Sequence, residues 1–374
     1  MNTRPETDHD AREFLDSVNA DTSIRSFSRN NEMSNRTVRR WMRHCECLID
    51  NGFTIPDGMK LKGTSFLRDA QTGEKKIEWV KTTEDIKRKE EMMREAIAAL
   101  REDIPRELPN ASTPLTNEKL ASCYVVTDYH MGMLSWAGET GDDWDTEIAS
   151  KMLIDWFGAA IEAAPASNTA ILAQLGDFLH YDSLNSVTPA SGHVLDADAR
   201  YPKIVRAAIR GIRQIVQMLL EKHGHVHIIL AEGNHDESGS VWLRELFYEK
   251  YADDPRVTVD DTSNPYYAYE WGKTSLFFHH GHKRTVTNSS SVFAGLYRDL
   301  FGRTEYSYAH LGHKHHVDVK EDSLMIVEQH PTLAAKDAYA VRGGWLSKRG
   351  ASVITYHKDH GEVSRSTIRP EMVG

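Results

Sequence analysis

Five short clusters carry the residue types that bind metal ions: Asp128-x-His130, Gly176-Asp177, Gly233-Asn234-His235-Asp236, His280-Gly281-His282 and Gly312-His313-x-His315. Each follows directly on an apolar, strand-like run. Their carboxylates, imidazoles and one neutral amide are the donors that two divalent ions roughly 3.5–4 Å apart require, with one carboxylate bridging them. Asp177, with its two oxygens, is the natural bridge. Imidazole and amide ligands complete the shells without loading the site with negative charge, so that it still admits an anionic phosphate. The mixture of oxygen and nitrogen donors suits Mn, Fe or Zn rather than Ca, with Mg less favoured. One cluster alone has a plain structural reading, as a turn cap or a polar loop. Five of them at strand ends make coincidence a poor explanation.

The elements that must position these clusters alternate in type. Strands are expected at 122–127, 170–175, 226–231, 274–278 and 306–311. Amphipathic helices are expected at 146–164 and 202–223, where Ile148, Met152, Trp156 and Ile161, then Val205, Ile209, Ile212, Val216 and Leu219, recur at helical spacing. This is an α/β arrangement. Further strands at 257–259, 266–271, 324–327 and 353–357 lack long helices between them and predict a second, more antiparallel sheet packed on the first. In an α/β sheet the loops after the strand C-termini converge on one crevice, and all five clusters fall there.

Upstream the pattern differs. Residues 1–10 are polar and expected as a flexible tail. Ser34 is a good helix N-cap, followed by Val38, Trp41, Met42, Cys45, Leu48 and Ile49 on one helical face until Asn51-Gly52. A shorter helix over 22–30 and a tight turn at Asn31-Glu32-Met33 complete a helix-turn-helix pattern. Arg36, Arg39, Arg40 and Arg43 line the other side. With Arg25 and Arg29 they set six arginines against the single acid Glu32. That concentration points to contact with nucleic-acid phosphates, the plain alternative being a solvated face. Segments 64–69 and 76–81 flank Gln71-Thr72-Gly73 and predict a hairpin, a wing beside the helices. A charged helix over 83–102, with a narrow stripe of Ile86, Met93, Ile97 and Leu100, would pack on its own chain or pair with a second copy in a homo-oligomer. Pro105, Pro109 and Pro114 mark a boundary. The expected division is a tail at 1–10, a helix-turn-helix and hairpin domain at 11–82, a linker at 83–119 and an α/β domain at 120–374.

Composition bounds the partners. The 374 residues carry a formal net charge of -10, so nucleic-acid contact requires a local basic surface rather than bulk attraction. Three cysteines, Cys45, Cys47 and Cys123, are too few for a disulfide framework and predict a reducing compartment, the cytoplasm. The N-terminus lacks the apolar core of a signal peptide and no run approaches membrane length, so no membrane insertion is expected. His44-Cys45-x-Cys47 has metal-binding residue types, but Cys45 belongs to the apolar helix face, which argues against a structural zinc.

The five clusters in their order resemble the signature of the calcineurin-like metallophosphoesterase family, over about the C-terminal two thirds of the chain. Asp128-Tyr129-His130-Met131-Gly132 and Gly176-Asp177-Phe178-Leu179-His180 are most similar to its branch of DNA-repair exonucleases. The resemblance implies a four-layer α/β sandwich and hydrolysis of phosphate esters at a dimetal centre. It assigns Asp128, His130 and His315 to one ion and Asn234, His280 and His313 to the other, with Asp177 between. The neighbouring His279, His282, His310 and His316 are passed over on that register alone. It further implies that His235 protonates the leaving oxygen, that Asp236 orients its ring and keeps it cationic, and that His180 is a second phosphate contact.

The expected activity is therefore phosphodiester hydrolysis on DNA, as an exo- or endonuclease localised by the helix-turn-helix. A small-molecule phosphatase or cyclic-nucleotide phosphodiesterase would use the same ligands, and a DNA-binding regulator on an inert scaffold would not need them intact. The repair-nuclease branch works with a separate coiled-coil ATPase, for which the sequence has no dedicated motif. A helix-turn-helix, hairpin and linker before such a domain is similar to proteins encoded by bacteriophages, which would place it in the host cytoplasm. Two segments outside the signature also carry suggestive residues. The acidic, aromatic loop 135–145 would stack on an unpaired base or fold over the core edge. Arg342-Gly343-Gly344-Trp345 and Lys348-Arg349-Gly350 would line a phosphate path or form an ordinary loop.

Overall fold

The computed structural model describes residues 8–20, 24–31, 33–34, 37–39, 41–42, 45, 59–68, 75–84, 114–189 and 192–373. The chain divides into two compact units, Met1–Pro105 and Arg106–Gly374.

In the first unit, α1 (Asp8–Ala20) and α2 (Ile24–Asn30) precede a helical segment that starts after Ser34. The Ser34 hydroxyl accepts from the Thr37 amide at 3.0 Å, the capping bond its residue type predicts. Val38, Trp41 and Cys45 bury against Ala11, Phe14 and Val18 of α1 and Phe27 of α2. The Phe14 ring lies 5.7 Å from both Phe27 and Trp41. Cys45 is thus a core residue. α1 begins inside the stretch expected as a tail, because Ala11, Phe14 and Val18 form an apolar stripe that gains from cover. Arg39 is exposed, whereas Arg36, Arg40 and Arg43 lie outside the described residues, as do His44, Cys47 and the stripe expected on 83–102. β1 (Met59–Arg68) and β2 (Lys75–Glu84) pair antiparallel, Met59 opposite Glu84, so strand extends through the first two positions expected as linker helix.

The second unit holds two sheets. The strands are β3 (Asn117–Val126), β4 (Ser167–Gln174), β5 (His225–Leu230), β6 (Val257–Val259), β7 (Tyr267–Trp271), β8 (Thr274–His279), β9 (Tyr306–Leu311), β10 (Asp318–Glu321), β11 (Ile326–Gln329), β12 (Ala351–His357) and β13 (Gly361–Ile368). One sheet has the order β13-β12-β3-β4-β5-β6, with β3 to β6 parallel. The other has the order β10-β11-β9-β8-β7, with β8, β9 and β11 parallel.

Side-chain alternation decides the layers. Ala121, Cys123 and Val125 of β3, Ile171 and Ala173 of β4, and Ile354 and Tyr356 of β12 face Tyr267, Trp271, Leu276 and Phe278 of the second sheet. The intervening residues face helices. Tyr124 meets Phe157 of α3 (Thr146–Ala163) at 5.9 Å, and α4 (Tyr201–Lys222) packs beside α3 on that side. On the far side, Phe277 stacks at 5.1 Å on Phe293 of a helix at Val286–Leu296. The result is a four-layer α/β sandwich. Among the described residues no helix is long and apolar enough to cross a membrane.

Candidate metal centre

β3, β4 and β5 are neighbours and parallel, so the loops after them emerge side by side. Those loops carry Asp128 and His130, Asp177, and Asn234 to Asp236. The adjacent β8 and β9 lead to His280 and to His313 and His315. Strand-like bonds continue past the ends. The Asp128 amide donates to the Gly176 carbonyl at 3.0 Å, His130 to Asp177 at 3.0 Å and Gly312 to His280 at 2.8 Å. The clusters are therefore held in register with one another.

The backbone then turns sharply. Asp128, His130, Asp177, His313 and His315 have φ between 48° and 75°, and they are the only non-glycine residues with positive φ among those described. That region disfavours L side chains, at a cost of roughly 1–3 kcal/mol each. All five are expected ligands. Glycine permits the close approach of the loops: a Cβ on Gly233 would lie 2.0 Å from Asp177 Oδ1, and one on Gly312 would lie 2.7 Å from Asp128 Oδ2.

Two donor sets result. Ligand atoms of Asp128, His130 and His315 lie within 4.8 Å of one another, as do those of Asp177, His280 and His313. His280 Nε2 lies 3.1 Å from Asp177 Oδ2, 3.1 Å from Asn234 Oδ1 and 3.9 Å from Asp128 Oδ1, which makes the two sets adjoin. His315 Nε2 is 3.0 Å from Asp128 Oδ1.

Each carboxylate uses one oxygen to hold a loop. Asp128 Oδ2 accepts from the Thr127 hydroxyl at 2.6 Å and the His313 amide at 2.8 Å, so Oδ1 faces the imidazoles. Asp177 Oδ1 accepts from the His235 amide at 2.7 Å, so Oδ2 faces His280. His280 Nδ1 donates to the Leu175 carbonyl at 2.9 Å, which fixes Nε2 inward.

The charges are unbalanced. Asp128 and Asp177 are 0% and 2% exposed, and among the described residues no lysine or arginine pairs with either. Buried carboxylates without a fixed cation demand positive charge from elsewhere. Burial works against protonation of His280, but Asp177 and Asp128 outweigh it and push the imidazole up to about 9. At His130 and His313 burial and the neighbouring imidazoles outweigh the carboxylates, and the balance tips the other way. Burial holds His130 well below the usual imidazole range and His313 at about 4, the neutral forms that can ligate.

His235 lies beside the first set, its ring 4.8 Å from that of His130. Its Nδ1 donates to the His180 carbonyl at 2.9 Å, so Nε2 is the ring nitrogen outside that bond. Asp236 does not orient this ring, contrary to expectation. Its Oδ1 accepts from the Gly233 and Asp177 amides at 3.0 and 3.1 Å, and its Oδ2 from Phe178 and Leu179 at 2.7 and 3.0 Å. Four amides at two strand ends need acceptors, and this buried carboxylate supplies them. Burial, followed by the Asp177 charge, pushes Asp236 up to about 7, against the amides, which favour the anion. His180 is itself 2% exposed, with Nδ1 3.3 Å from His130 Nδ1 and its ring stacked on His235 at 5.8 Å. It sits behind the site's edge rather than on an open rim.

The other histidines near the clusters have different occupations. His279 stacks on Tyr266 at 4.4 Å, His282 stacks on His279 at 5.4 Å, and His316 bonds the Lys314 carbonyl. Two supporting residues escaped the sequence reading. Thr332 donates to the Asp128 carbonyl at 2.6 Å, and Asp182 accepts from the Ser238 and Gly239 amides at the start of α5 (Glu237–Tyr251). Nothing in the local sequence marks either one.

The two suggestive segments meet each other. Ser135 donates to the Lys336 carbonyl at 2.7 Å, Arg342 pairs with Glu139 at 2.8 Å, and Arg349 lies over the Trp144 ring at 5.2 Å. Trp144 is buried, while Trp136, Tyr339 and Trp345 are exposed.

No family model matches the sequence, and no curated protein matches it. Among solved structures, the chain is similar to a predicted phosphoesterase from Streptococcus pneumoniae TIGR4, at 10% identity over 67% of this chain and 99% of that chain, with a TM-score of 0.30. A novel archaeal phosphodiesterase aligns at 13% identity over 66% of this chain and 98% of its own, with a TM-score of 0.33. Vps29 from Entamoeba histolytica, complexed with Zn+2, aligns at 9% identity over 67% and 99%, with a TM-score of 0.29.

Proposed function

We propose that the chain is a dimetal-dependent phosphodiester hydrolase acting on DNA, as an exo- or endonuclease, with Mn the favoured ion and Fe, Zn or Mg as alternatives. One observation carries this reading: Asp128, His130 and His315 adjoin Asp177, Asn234, His280 and His313 in donor sets whose buried carboxylates have no lysine or arginine partner among the described residues. Two divalent ions held there would supply Lewis-acid charge to the phosphoryl oxygens and lower the pKa of the attacking water.

The remaining chemistry belongs to the chain. His235 Nδ1 is committed to the His180 carbonyl, so the proton passed to the leaving oxygen comes from Nε2, and the ring keeps one orientation through the cycle. Asp236 and Asp182 hold the loops that place His235. The choice of DNA is supported by the first unit, where a Ser34-capped helical segment with exposed Arg39 packs on two helices and a hairpin follows. In this reading residues 11–82 localise the α/β domain on its substrate.

The test is to incubate the purified chain, with Mn or with a chelator, against single-stranded and duplex DNA, RNA, and matched small mono- and diesters. Mn-dependent cleavage of DNA and of the small diester is expected. Cleavage of the monoester alone refutes the nuclease reading and leaves a small-molecule phosphatase.

A further inference from the structure

The segment from Arg200 to Lys222 holds six basic residues and one acid, Glu221, in a chain whose net charge is -10. Lys222 is spent on the carbonyls of Ile161, Glu162 and Ala164 at the end of α3. Lys203, Arg206, Arg210 and Arg213 follow at spacings of three, four and three, which puts them within about 80° of one another around the helix. The opposite face is the buried one, with Ile204, Ala208, Ile212, Ile215 and Leu219. Lys203, Arg206 and Arg210 are exposed. Lys203 has Asp198 at 3.9 Å, while Arg206 and Arg210 have no ion pair among the described residues.

This pattern works against the helix that carries it. Like charges three and four residues apart repel, and basic residues toward an N-terminus oppose the helix dipole. α4 has no acid in its first turn to relieve them. An external polyanion would.

The stripe also starts at the right place. α4 runs antiparallel to the strands it packs on, so its N-terminal end lies at the ligand-bearing end of the sheet. A Cβ on Gly132, two residues after His130, would meet Ile204 at 2.2 Å, and Tyr201 bonds Asp182 at 3.4 Å, two residues after His180. From Lys203 to Arg213 the stripe recedes about 15 Å, the axial rise of roughly four nucleotides. The other exposed positions on this face, Pro202, Gln214, Gln217 and, in the last turn, the acid Glu221, offer nothing to insert into a lipid surface.

We infer that the solvent face of α4, through Lys203, Arg206 and Arg210, is a track for the sugar-phosphate backbone of a nucleic acid leading to the metal centre. This deepens, and rests on, the phosphodiesterase reading above. The track carries charge and no base-reading groups, so it holds the strand without regard to sequence.

The test uses the full chain with Lys203→Gln, Arg206→Gln and Arg210→Gln combined, since glutamine keeps helix propensity. Affinity for a 20-nucleotide single-stranded DNA is measured across a salt series in chelator, so that no catalysis intervenes, and small-diester turnover is measured with Mn. An affinity loss of about tenfold or more at low salt is expected, with a log–log salt slope flatter by about 2 to 3. Small-diester turnover and the melting profile should not change, and the Arg206→Lys, Arg210→Lys variant should bind as wild type does. Equal affinity and slope in the glutamine variant overturn the track. So does a stripe that binds phosphatidylserine vesicles but no oligonucleotide. Stripe-dependent binding by a protein that hydrolyses no diester sinks the phosphodiesterase reading and leaves the track standing, whereas diester turnover without stripe-dependent binding does the reverse.

Discussion

Two buried clusters in the second unit are built from the same side chains and differ in what surrounds them. In one, Glu328 of β11 is clasped by Arg365 of β13 through both oxygens, at 2.5 and 2.7 Å. His310 then bonds His330 at 2.9 Å and the Tyr356 hydroxyl at 2.9 Å. Its carboxylate has a fixed cation, its imidazoles bond each other, and its backbone is ordinary strand or strand end. In the other, Asp128 and Asp177 have no such cation among the described residues, and five of the seven expected ligands sit in left-handed turns. Acid and imidazole at short range are thus common to both clusters. What sets the candidate metal centre apart is carboxylate charge with no lysine or arginine partner among the described residues, on a backbone strained to aim it.

The largest effects come from removing that charge. Asp177→Asn takes away the one carboxylate of the second donor set, the residue expected to bridge the two ions. Both ions should be lost on dialysis, and diester turnover should fall about 10³-fold or more, on the order of 4 kcal/mol of barrier. Glu328→Gln, the matching change in the closed cluster, should leave ion content and turnover as they are. An Asp177→Asn protein that keeps two ions would erase the distinction between the clusters. His235→Asn separates holding metal from using it: ion content stays, while turnover drops by about 10²–10⁴-fold. Near-normal turnover there would remove the acid role.

Asp236→Asn tests the loops rather than the ions. The amide group would face two backbone donors that it cannot accept, at a cost of about 2–4 kcal/mol, read from the urea midpoint. His235 keeps its bond to the His180 carbonyl, so turnover at a fixed pH should fall far less than in His235→Asn. A fall as large as that of His235→Asn in a protein of unchanged stability would return Asp236 to the orienting role expected from its position next to His235.

That misreading shows where sequence information stops. The five clusters and their strands were legible because apolar runs and strand-end ligands are both local signals. α3 and α4 were legible because, past the first residue of each, their buried faces are apolar throughout, aliphatic in α4 and mixed with Trp156 and Phe157 in α3. α5 was missed because its buried positions include Gly239, Ser240 and Arg244, which break the apolar period. β10 and β13 were missed because they are edge strands with polar, exposed residues. Asp236 bonds only to backbone amides, and the partner of His235 is a carbonyl 55 residues away, so neither leaves a side-chain pattern to find. The basic face of α4 was hidden in another way: its cations alternate with the aliphatic residues that marked the helix, and only the folded chain gathers them into one stripe.

The smallest effect distinguishes the clusters by acid. Burial raises the Glu328 carboxyl, but His330 and the Arg365 guanidinium outweigh it and hold it at about 2. Facing it are His310 and His330, both kept below the usual imidazole range by burial, together with Tyr356, and Glu362, which shares Arg365. A carboxylate depressed in the folded state contributes stability that is fully present above its unfolded value, about 4.3, and that disappears as pH falls through its folded value. Wild type should therefore exceed Glu328→Gln by about 1–2 kcal/mol at pH 6, Arg365 being partly exposed. The gap should close between about pH 4 and pH 2, followed by urea midpoints in chelator so that the metal ligands do not contribute through bound ions. Glu328 raises both imidazoles as they lower it, so the difference reads the coupled cluster as a unit. A gap that stays constant to pH 2 would mean that packing rather than ion pairing holds the closed cluster, and the contrast with the metal centre would then rest on backbone geometry alone.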